Sequence, residues 1–346
     1  EPDLSAAVSG AVAMGRLTAT THTPEADAFI IAVPTPFCEG HRADLSYVRS
    51  AVEQIAPVLR GGEVVILEST SPPGTSASIS QWLGELRPDL VPPHSAEGVP
   101  DVHVAHCPER VLPGRIMIEM VTNDRVVGGI TPRCAELAAA IYRVFCQGEI
   151  LLSDAASAEM AKLVENAYRD VNIAFANELS LISENLELDV WEVIRLANHH
   201  PRVNVLTPGP GVGGHCIAVD PWFIVGAAPE QSRRIRVARE VNDEKPHHVA
   251  EQIVRKSERF REPTVTCLGL AYKANVDDLR ESPAVDIVES IALARPDLDI
   301  RVAEPLVRVL PERLSAYPNI HLEPACEAIA AADIVALLVD HDHFRS

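Results

Sequence analysis

One stretch of the chain, residues 153–188, contains neither proline nor glycine. Apolar residues recur through it at helical spacing, so the stretch predicts a single long helix with Ser153 or Asp154 as its N-terminal cap. A helix of roughly 30 residues extends about 45 Å, which is too long for one small domain. We therefore expect this helix to bridge two domains and to form a dimer interface.

Short β-rich runs alternate with helical stretches on both sides of this helix. Strands that alternate with helices are typical of βαβ units around a parallel sheet, and each continuous apolar run suits a strand that is buried on both faces. The expected strands are DAFIIAVP (27–34), EVVILES (63–69), VHVAHC (102–107), RVVGGI (125–130), EILLS (149–153), TVTCLGLA (264–271), DIRVAEP (299–305) and ADIVALLV (333–339), with a helix near 284–294.

The predicted fold class is therefore α/β, with two Rossmann-like parallel-sheet domains joined by the long helix and a helical middle domain. We expect a first domain over residues 1–152, a central helical domain over 153–259 and a smaller α/β domain over 260–346. The Pro- and Gly-rich segment NVLTPGPGVGGHC interrupts the central domain.

We expect the α/β domain at each end of the chain to be incomplete. A dinucleotide-binding domain should open with a strand, a GxGxxG turn and a helix. No GxGxxG lies near the start, so we expect the first βα unit to be absent from this chain, or the first domain to bind no dinucleotide. We also expect an incomplete C-terminal domain, because LVDHDHFRS stops just after a strand.

The charge and composition of the chain argue against several classes of protein. The formal net charge of −19 argues against a nucleic-acid partner, since phosphate backbones require clustered Lys and Arg. No apolar run reaches the ~20 residues of a membrane span, and the start EPDLSAAVSG lacks the features of a signal peptide. Seven cysteines without CxxC spacing fit reduced thiols. We therefore expect a cytoplasmic protein with no membrane partner.

The densest group of candidate catalytic residues is GVGGHCIAVDPW, residues 211–222. Its glycines let the backbone approach a ligand closely, and a helix N-terminus activates a thiol placed there. If a helix starts near Cys216, Asp220 lies one turn further along the same face, so the two could act as nucleophile and base. A lone cysteine after a glycine-rich loop is more often a buried structural residue. The glycines and Asp220 favour catalysis.

Three polar side chains share one face of the predicted long helix. Lys162, Asn166 and Arg169 stand at positions i, i+4 and i+7 of KLVENAYRD. Two cations and an amide on one stripe suit an anionic substrate and a developing oxyanion. Lysine occurs only four times in the chain, so Lys162 is distinct from the arginines that supply most of the positive charge. A solvated helix face is the alternative explanation.

Polar residues also follow three of the predicted strands. Glu109 and Arg110 come shortly after the third strand, Ser69 and Thr70 stand at the end of the second, and Thr35 follows the first. Open α/β sheets bind ligands at the carboxyl ends of their strands, so these residues are candidates for substrate, phosphate or ribose contacts. A loop salt bridge explains Glu109 and Arg110 equally well, and the hydroxyl residues are also common in turns.

The segment NHHPRVN offers His199, His200 and Arg202. Adjacent histidines suggest a metal site, but neighbouring side chains do not converge readily and no second His or Cys pair stands at ligand spacing. We therefore expect no metal, and we interpret these residues as substrate contacts.

A last group of polar residues follows the first strand of the C-terminal domain. GLAYKANVDDLRESPA contains Tyr272, Lys273, Asp277, Asp278 and Arg280. Lys273 and Arg280 could hold a diphosphate, and ESP then starts a helix. An ordinary capped loop is the alternative.

Taken together and in this order, the motifs AVPTP, ESTSPPGT, PERVLPG, KLVENAYRD, GVGGHC and KANVDDLRESPA resemble the UDP-glucose/UDP-mannose dehydrogenase family over essentially the whole chain. The forms PERVLPGR, NHHPRVN and GPGVGGHCIAVDPWF look most like the members that oxidise UDP-N-acetyl-D-mannosamine. The family's NAD-binding domain, dimerising helical centre and UDP-binding end agree with the layout described above.

The resemblance implies an NAD-dependent, four-electron oxidation of UDP-N-acetyl-D-mannosamine at C6 to the uronate, within polysaccharide biosynthesis. Cys216 would form a thiohemiacetal and then a thioester. Lys162 and Asn166 would stabilise the oxyanions. Asp220 and Glu109 would assist proton transfer and the hydrolytic water. Positions that match UDP-sugar contacts of the family are Arg110, Val111, Lys162, Asn166, Arg169, His200, Arg202, Gly213, Tyr272 and Lys273, and those that match NAD contacts are Thr35, Thr70 and Arg280.

Three other functions stay open at this point. UDP-glucose or another nucleotide sugar could be the substrate, since no single residue of the sequence identifies a contact that recognises the acetamido group. A single-step hydroxyacid dehydrogenase would need Lys162 and Asn166 but not Cys216. The absent glycine-rich turn leaves a third alternative, a fragment that binds the sugar nucleotide without oxidising it.

Overall fold

The computed structural model of the protein describes residues 3–38, 40, 42–112 and 114–345. The chain divides into two compact units, Glu1–Glu165 and Asn166–Ser346. Pro113 of the PERVLPGR motif lies outside the described residues. The division into three domains expected from the sequence stays a prediction.

The first unit is built on a five-stranded sheet. Its elements in chain order are α1 (Leu4–Ala13), β1 (Ala28–Ile31), β2 (Phe37–Cys38), β3 (Arg42–Ala43), α2 (Ser46–Ile55), a 3₁₀ turn (Ala56–Val58), β4 (Val64–Leu67), α3 (Thr75–Leu86), β5 (His103–His106), α4 (Ile116–Thr122), β6 (Arg125–Gly129), α5 (Pro132–Tyr142), β7 (Ile150–Asp154) and the start of α6 (Ala155–Asn185). All five strands expected in this region are present. The hairpin of β2 and β3 was not predicted.

The strand order of this sheet is β1-β4-β5-β6-β7. The pairs β1–β4, β4–β5 and β6–β7 are parallel, but β5 and β6 run antiparallel. The expectation of a purely parallel sheet was therefore wrong at this pair. A parallel connection needs a crossover that packs across the sheet, and α4, which connects β5 to β6, has no buried residue. The chain therefore returns antiparallel to β5.

Both faces of this sheet are covered by apolar side chains. Every residue of β4 and β5 is buried, as expected for strands covered on both faces. One face packs against α2 and α3 and the other against α5. The first cluster includes Val52, Val65, Leu67, Ile79, Leu83 and Val104, and the second includes Val64, Ile66, Ala105, Ala138 and Tyr142. The two cores hold the carboxyl ends of the strands in place.

The long helix α6 runs for 31 residues. Its N-terminus is capped by Asp154, whose Oδ1 accepts a hydrogen bond of 2.9 Å from the backbone N–H of Ser157. The predicted start at Ser153 or Asp154 is therefore correct. The division between the two units falls between Glu165 and Asn166, so α6 contributes residues to both. Its role in a dimer stays a prediction.

The second unit contains the rest of α6 and a four-stranded sheet. Its further elements are α7 (Val190–Ala197), α8 (Asp220–Ala227), α9 (Arg233–Ser257), β8 (Thr264–Leu268), α10 (Pro283–Ala294), β9 (Asp299–Ala303), α11 (Glu312–Ser315), β10 (Ile320–Leu322), α12 (Ala325–Ala330), β11 (Ile334–Leu337) and a 3₁₀ turn (Asp342–Arg345). The strand order is β10-β9-β8-β11 with every pair parallel, which confirms the predicted parallel sheet. The short strand β10 was not predicted.

The core of the second unit lies between its sheet, α9 and α10. Buried members of this cluster include Ile253, Val285, Val288, Ile291, Ile300 and Val302. Their packing fixes the loop between β8 and α10, which carries Tyr272, Lys273 and Arg280. No helix in the described part of the chain is both long enough and apolar enough to span a membrane.

Candidate active site

Cys216 lies in an exposed turn directly before α8. The backbone N–H of Asp220 donates to the carbonyl oxygen of Cys216 at 2.9 Å, so the two residues are one turn apart as expected. The helix itself begins at Asp220 and not at Cys216. Pro221 explains this start, because proline is well suited to the first turn of a helix, where its missing N–H costs nothing.

The glycines before Cys216 allow a close approach between two segments of the second unit. A Cβ atom on Gly213 would lie 2.1 Å from the carbonyl oxygen of Glu281 and 2.6 Å from Pro283. Gly214 has a φ of +83°, and a Cβ there would lie 2.8 Å from the ring of Tyr272. Only glycine fits at these positions. The loop that precedes Cys216 therefore packs directly against the segment 272–283.

Asn166 and Asp220 meet through their side chains. The Nδ2 of Asn166 donates to Oδ2 of Asp220 at 2.5 Å, and both residues are buried. The amide nitrogen carries a second hydrogen, which an oxyanion could accept. Lys162 lies one turn before Asn166 on α6 and is half-buried, whereas Arg169 is exposed. The structure thus brings together two of the predicted catalytic residues, with Lys162 on the adjacent turn.

The loop after β8 contains a tight ion pair. Arg280 donates from Nε and Nη2 to the two carboxylate oxygens of Asp278, at 2.9 and 2.7 Å. These hydrogen bonds hold the pKa of Asp278 below its ordinary value. Burial raises the pKa of Tyr272, and the charges of Asp278 and Cys216 act in the same direction. Lys273 is exposed. An anionic ligand of this loop would meet Lys273 directly but would share Arg280 with Asp278.

The two histidines of NHHPRVN lie in the loop that follows α7. His200 and Arg202 are exposed, and Nδ1 of His200 accepts a hydrogen bond of 3.3 Å from the backbone N–H of Arg202. The side chain of Asn198 closes the loop by two hydrogen bonds to the backbone of Val205. No group of three or more His, Cys, Asp and Glu among the described residues is arranged to hold a metal ion. Substrate contacts by His200 and Arg202 stay a prediction.

Glu109 follows β5 in the first unit. Its Oε1 accepts hydrogen bonds from the backbone N–H groups of Arg110 and Val111, at 2.6 and 2.9 Å. Its Oε2 lies 3.7 Å from Nη2 of Arg125, whose side chain is buried. Arg110 itself forms a two-pronged ion pair with Glu165, at 2.6 and 3.3 Å. Arg110 therefore forms a salt bridge, as the alternative interpretation expected, and Glu109, whose carboxylate is partly exposed, forms another with Arg125.

Hydroxyl side chains at the ends of β1 and β4 form hydrogen bonds with the backbone of the neighbouring segment. Thr35 donates to the carbonyl oxygen of Thr70 at 2.6 Å. Ser69 accepts from the N–H of Val33 and donates to its carbonyl oxygen, at 2.8 and 2.7 Å. The Oγ of Ser71 is buried and has no hydrogen-bond partner among the residues that the structure describes. This unpartnered hydroxyl beside Thr70 fits a site for a polar ligand such as a dinucleotide.

Glu159 is a residue whose importance the sequence did not reveal. Its buried carboxylate accepts hydrogen bonds from the N–H groups of Gly74 and Ser76 and from the Ser76 hydroxyl, at 2.6 to 2.7 Å. Glu159 thereby caps the N-terminus of α3 from the first turns of α6. Burial raises its pKa, although these hydrogen bonds act in the opposite direction. The carboxylate takes the place at this helix end where a phosphate could otherwise bind.

Three consecutive parts of the chain match the domains of one enzyme family. Residues 1–146 match the NAD-binding domain of the UDP-glucose/GDP-mannose dehydrogenase family, residues 156–244 its central domain and residues 266–346 its UDP-binding domain. The chain belongs to this family. It is an NAD-dependent dehydrogenase of UDP-sugars, and NAD is its cofactor. The resemblance drawn from the motifs is thus confirmed, except that the family pairs UDP-glucose with GDP-mannose and not with UDP-mannose.

Named relatives cover the chain from end to end. It is 55% identical over 345 residues to an NDP-N-acetyl-D-galactosaminuronic acid dehydrogenase of Ralstonia solanacearum, covering 100% of this chain and 81% of the relative. It is 52% identical over 353 residues to the UDP-N-acetyl-D-mannosamine dehydrogenase of Escherichia coli K12, covering 100% and 83%. A solved UDP-D-ManNAc dehydrogenase from Pyrococcus horikoshii superposes with a TM-score of 0.87 at 37% identity, covering 100% and 79%.

Proposed function

We propose that this dehydrogenase oxidises UDP-N-acetyl-D-mannosamine at C6 to UDP-N-acetyl-D-mannosaminuronate. One alcohol, two NAD⁺ and one water give one carboxylate, two NADH and three protons. The C6 alcohol is first oxidised to an aldehyde. The Cys216 thiol adds to the aldehyde carbon and gives a thiohemiacetal. The second oxidation converts this to a thioester, and water then releases the acid and restores the thiol.

The contact between Asn166 and Asp220 is the observation that carries the proposal. It holds a buried carboxylate one turn from Cys216, where it can take a proton from the thiol or from the water that attacks the thioester. The second N–H of Asn166 and the ammonium group of Lys162 are donors for the oxyanions that form at C6. In its neutral amine form Lys162 can also accept the proton of the C6 hydroxyl, and as the ammonium group it can return that proton.

Glu109 is a second group for proton transfer in this proposal. The two backbone N–H groups on its Oε1 fix the carboxylate, and its side chain stays partly exposed. These features suit a residue that orients the hydrolytic water.

Thr35, Thr70 and Arg280 are the proposed NAD contacts. Two features support a cofactor site at the ends of β1 and β4: the hydrogen bond from Thr35 to the carbonyl of Thr70, and the Ser71 hydroxyl, which has no partner within the described residues. NAD, when bound, accepts the hydride that leaves C6 in each of the two oxidations. Glu159 argues against a phosphate site at the N-terminus of α3.

The UDP-sugar contacts are proposed from the family motifs, and the exposed residues among them are accessible to a ligand. Lys273 supplies a cation for the diphosphate. Gly213 contributes through the path of the loop, because Glu281 and Pro283 occupy the space that a Cβ would need. To contact the UDP-sugar, Arg110 must either break its ion pair with Glu165 or share its guanidinium group between Glu165 and the substrate. The proposed set is Arg110, Val111, Lys162, Asn166, Arg169, His200, Arg202, Gly213, Tyr272 and Lys273.

The decisive experiment compares the enzyme with its Cys216→Ala variant, supplied with NAD and UDP-N-acetyl-D-mannosamine. The proposal expects two NADH for each acid formed by the enzyme, and no acid from the variant. Full activity of Cys216→Ala, or one NADH per product, would show a single-step dehydrogenase instead. Absence of both NAD binding and oxidation would leave a sugar-nucleotide-binding protein.

A second candidate is the reaction of the Ralstonia relative, whose name refers to an N-acetyl-D-galactosaminuronic acid. Its 55% identity stands beside 52% for the E. coli enzyme, so identity alone does not separate the two sugars. Parallel kcat/KM measurements with the UDP derivatives of N-acetylmannosamine, N-acetylgalactosamine and glucose test the choice. A clear preference for either of the last two would overturn our substrate assignment.

We also propose that α6 forms a homodimer interface in a three-domain, cytoplasmic enzyme. Large apolar side chains of α6 are exposed in the single chain, among them Val164, Tyr168, Phe175 and Ile182. Contiguous exposed apolar surface marks an interaction site. Light scattering on the purified protein measures the oligomeric state, and a monomer at micromolar concentration would contradict this part of the proposal.

A further inference from the structure

A buried polar network joins α6 to α9 in the second unit. Nη1 of Arg239 lies 2.6 Å from Oδ1 of Asp170, and both side chains are fully buried. Nδ2 of Asn242 donates to the same carboxylate oxygen at 2.8 Å and to the backbone carbonyl of Asp170 at 3.1 Å. Groups of this kind are costly to bury, so they persist only when their geometry is well defined.

Asn177 extends this network to the loop that carries the nucleophile. Its Nδ2 donates to Oδ1 of Asn242 at 2.8 Å, and its Oδ1 accepts from the backbone N–H of Gly209 at 2.8 Å. Asn177 has no exposed surface. An apolar side chain could fill the same volume, but it could not accept the N–H of Gly209.

The loop from Gly209 to Cys216 is held at a small number of points. Asn177 fixes its start. A Cβ on Gly211 would lie 2.9 Å from both Pro246 of α9 and Pro283, so the backbone passes closely between them. Further on, the N–H of Gly214 donates to the carbonyl oxygen of Glu281 at 3.2 Å. A loop clamped in this way transmits a shift at its start to the residues that follow.

We infer that Asn177 is a positioning residue for Cys216. It connects the Asp170–Arg239–Asn242 network to the backbone of Gly209 and so sets the path of the loop that presents the thiol. This inference rests on the proposed role of Cys216 as nucleophile. Asn177 contacts no reacting atom, and its effect on catalysis would come through the geometry of the loop.

The first test compares Asn177→Ala with Asn172→Ala. Asn172 is on the same helix, and its amide donates to the carbonyl of Tyr168 one turn earlier. We expect Asn177→Ala to lower kcat by about 10- to 100-fold, since small misplacements of a reacting group have effects of this size. KM for the UDP-sugar should change little, and Asn172→Ala should behave as the unmodified enzyme.

The second test measures the labelling of cysteines by iodoacetamide, which requires neither substrate nor turnover. Cys38, Cys216 and Cys326 are exposed, so the other two serve as internal references for Cys216. Asn177→Ala is expected to change the labelling rate of Cys216 several-fold and to leave the two references unchanged. Labelling of the buried Cys267 would reveal a variant that fails to fold. Asn177→Ser, measured in parallel, keeps a polar side chain that is too short to make both hydrogen bonds, and it should act in the same direction.

The outcomes separate this inference from the proposed function. If Cys216→Ala is inactive while folded Asn177→Ala and Asn177→Ser keep normal kcat and normal Cys216 labelling, the positioning role is wrong and the nucleophile stands. If Cys216→Ala is fully active, the proposed function is wrong whatever Asn177 does. A loss of thermal stability in the Asn177 variants with unchanged kcat and labelling would show a purely structural role and would also overturn the inference.

Discussion

The side-chain amide of Asn166 donates a hydrogen bond of 2.5 Å to the carboxylate of Asp220, 54 residues later in the chain. Both side chains are buried, so this bond is shielded from competing water. Because Asp220 also begins α8 and bonds through its backbone N–H to Cys216, one contact ties the long helix to the turn that carries the thiol.

Asp220→Asn should separate the oxidations from the hydrolysis. The change keeps the shape of the side chain but removes the proton acceptor, so we expect kcat to fall by about 10²- to 10⁴-fold. Intact-mass measurement during turnover should show the acyl adduct accumulating on Cys216. The control is Asp189→Asn, because Asp189 caps α7 and Asn is an equally good cap. A variant that hydrolyses the thioester at the normal rate would remove Asp220 from the mechanism.

Gly213→Ala should damage the enzyme, whereas Gly209→Ala should not. The new Cβ at position 213 would overlap the carbonyl oxygen of Glu281, and such overpacking destabilises by about 1–3 kcal/mol or more. The loop would have to shift, so kcat should fall as well. A Cβ at position 209 meets nothing within 4 Å. Thermal unfolding and steady-state kinetics of the pair provide the check, and equal behaviour would refute the proposed close packing.

Periodicity was sufficient to predict most of the elements. Every residue of the run VVIL in β4 is buried, and the apolar spacing of α6 predicted a cap at Ser153 or Asp154, of which the structure shows Asp154. The sequence predicted the presence of the strands better than their orientation in the sheet. The sequence RVVGG is a strand as expected, but its antiparallel pairing with β5 depends on a connection whose helix α4 does not pack on the sheet. The helix α8 was expected to start near Cys216 but starts at Asp220, because Pro221 favours the first turn of a helix.

The candidate site could be predicted only where its residues stand in recognisable motifs. Lys162, Asn166, Cys216 and Asp220 were predicted in this way, and of these the structure shows Asn166 in contact with Asp220. Asn177 was not found, because a polar residue on a helix is normally assigned to solvent. Its partner Asn242 lies 65 residues away, and no local pattern reports a contact of that kind. Buried polar networks join residues that are distant in sequence, so the spacing of apolar residues along the chain does not predict them.

Arg239→Met should destabilise the second unit strongly. The substitution leaves Asp170 buried without its cation, which typically costs about 3–5 kcal/mol of unfolding free energy. Replacing both residues, as Asp170→Leu with Arg239→Met, should recover much of this loss because no unpaired charge remains. Urea titrations measure the unfolding free energy of the unmodified protein, of Arg239→Met and of the double variant. The control is Arg195→Met, which breaks an exposed pair with Glu192 and should have little effect. A mild effect of Arg239→Met would mean that Asp170 is not charged in the folded protein.

His106→Leu should weaken the dependence of stability on pH. Burial lowers the pKa of His106 to about 3, although an interaction with the backbone of Leu67 acts in the opposite direction. The unfolded chain, with an ordinary pKa of about 6.5, therefore binds a proton below that pH while the folded chain does not. Unfolding free energy accordingly falls as pH falls from 6.5 towards 3, by about 2 kcal/mol at pH 5.

Urea titrations at pH 7.5 and pH 5 should show this loss of unfolding free energy in the unmodified protein and in the control His22→Leu, whose side chain is exposed. In His106→Leu the loss between the two pH values should be smaller by that amount. An identical loss in all three proteins would mean that His106 is protonated in the folded state.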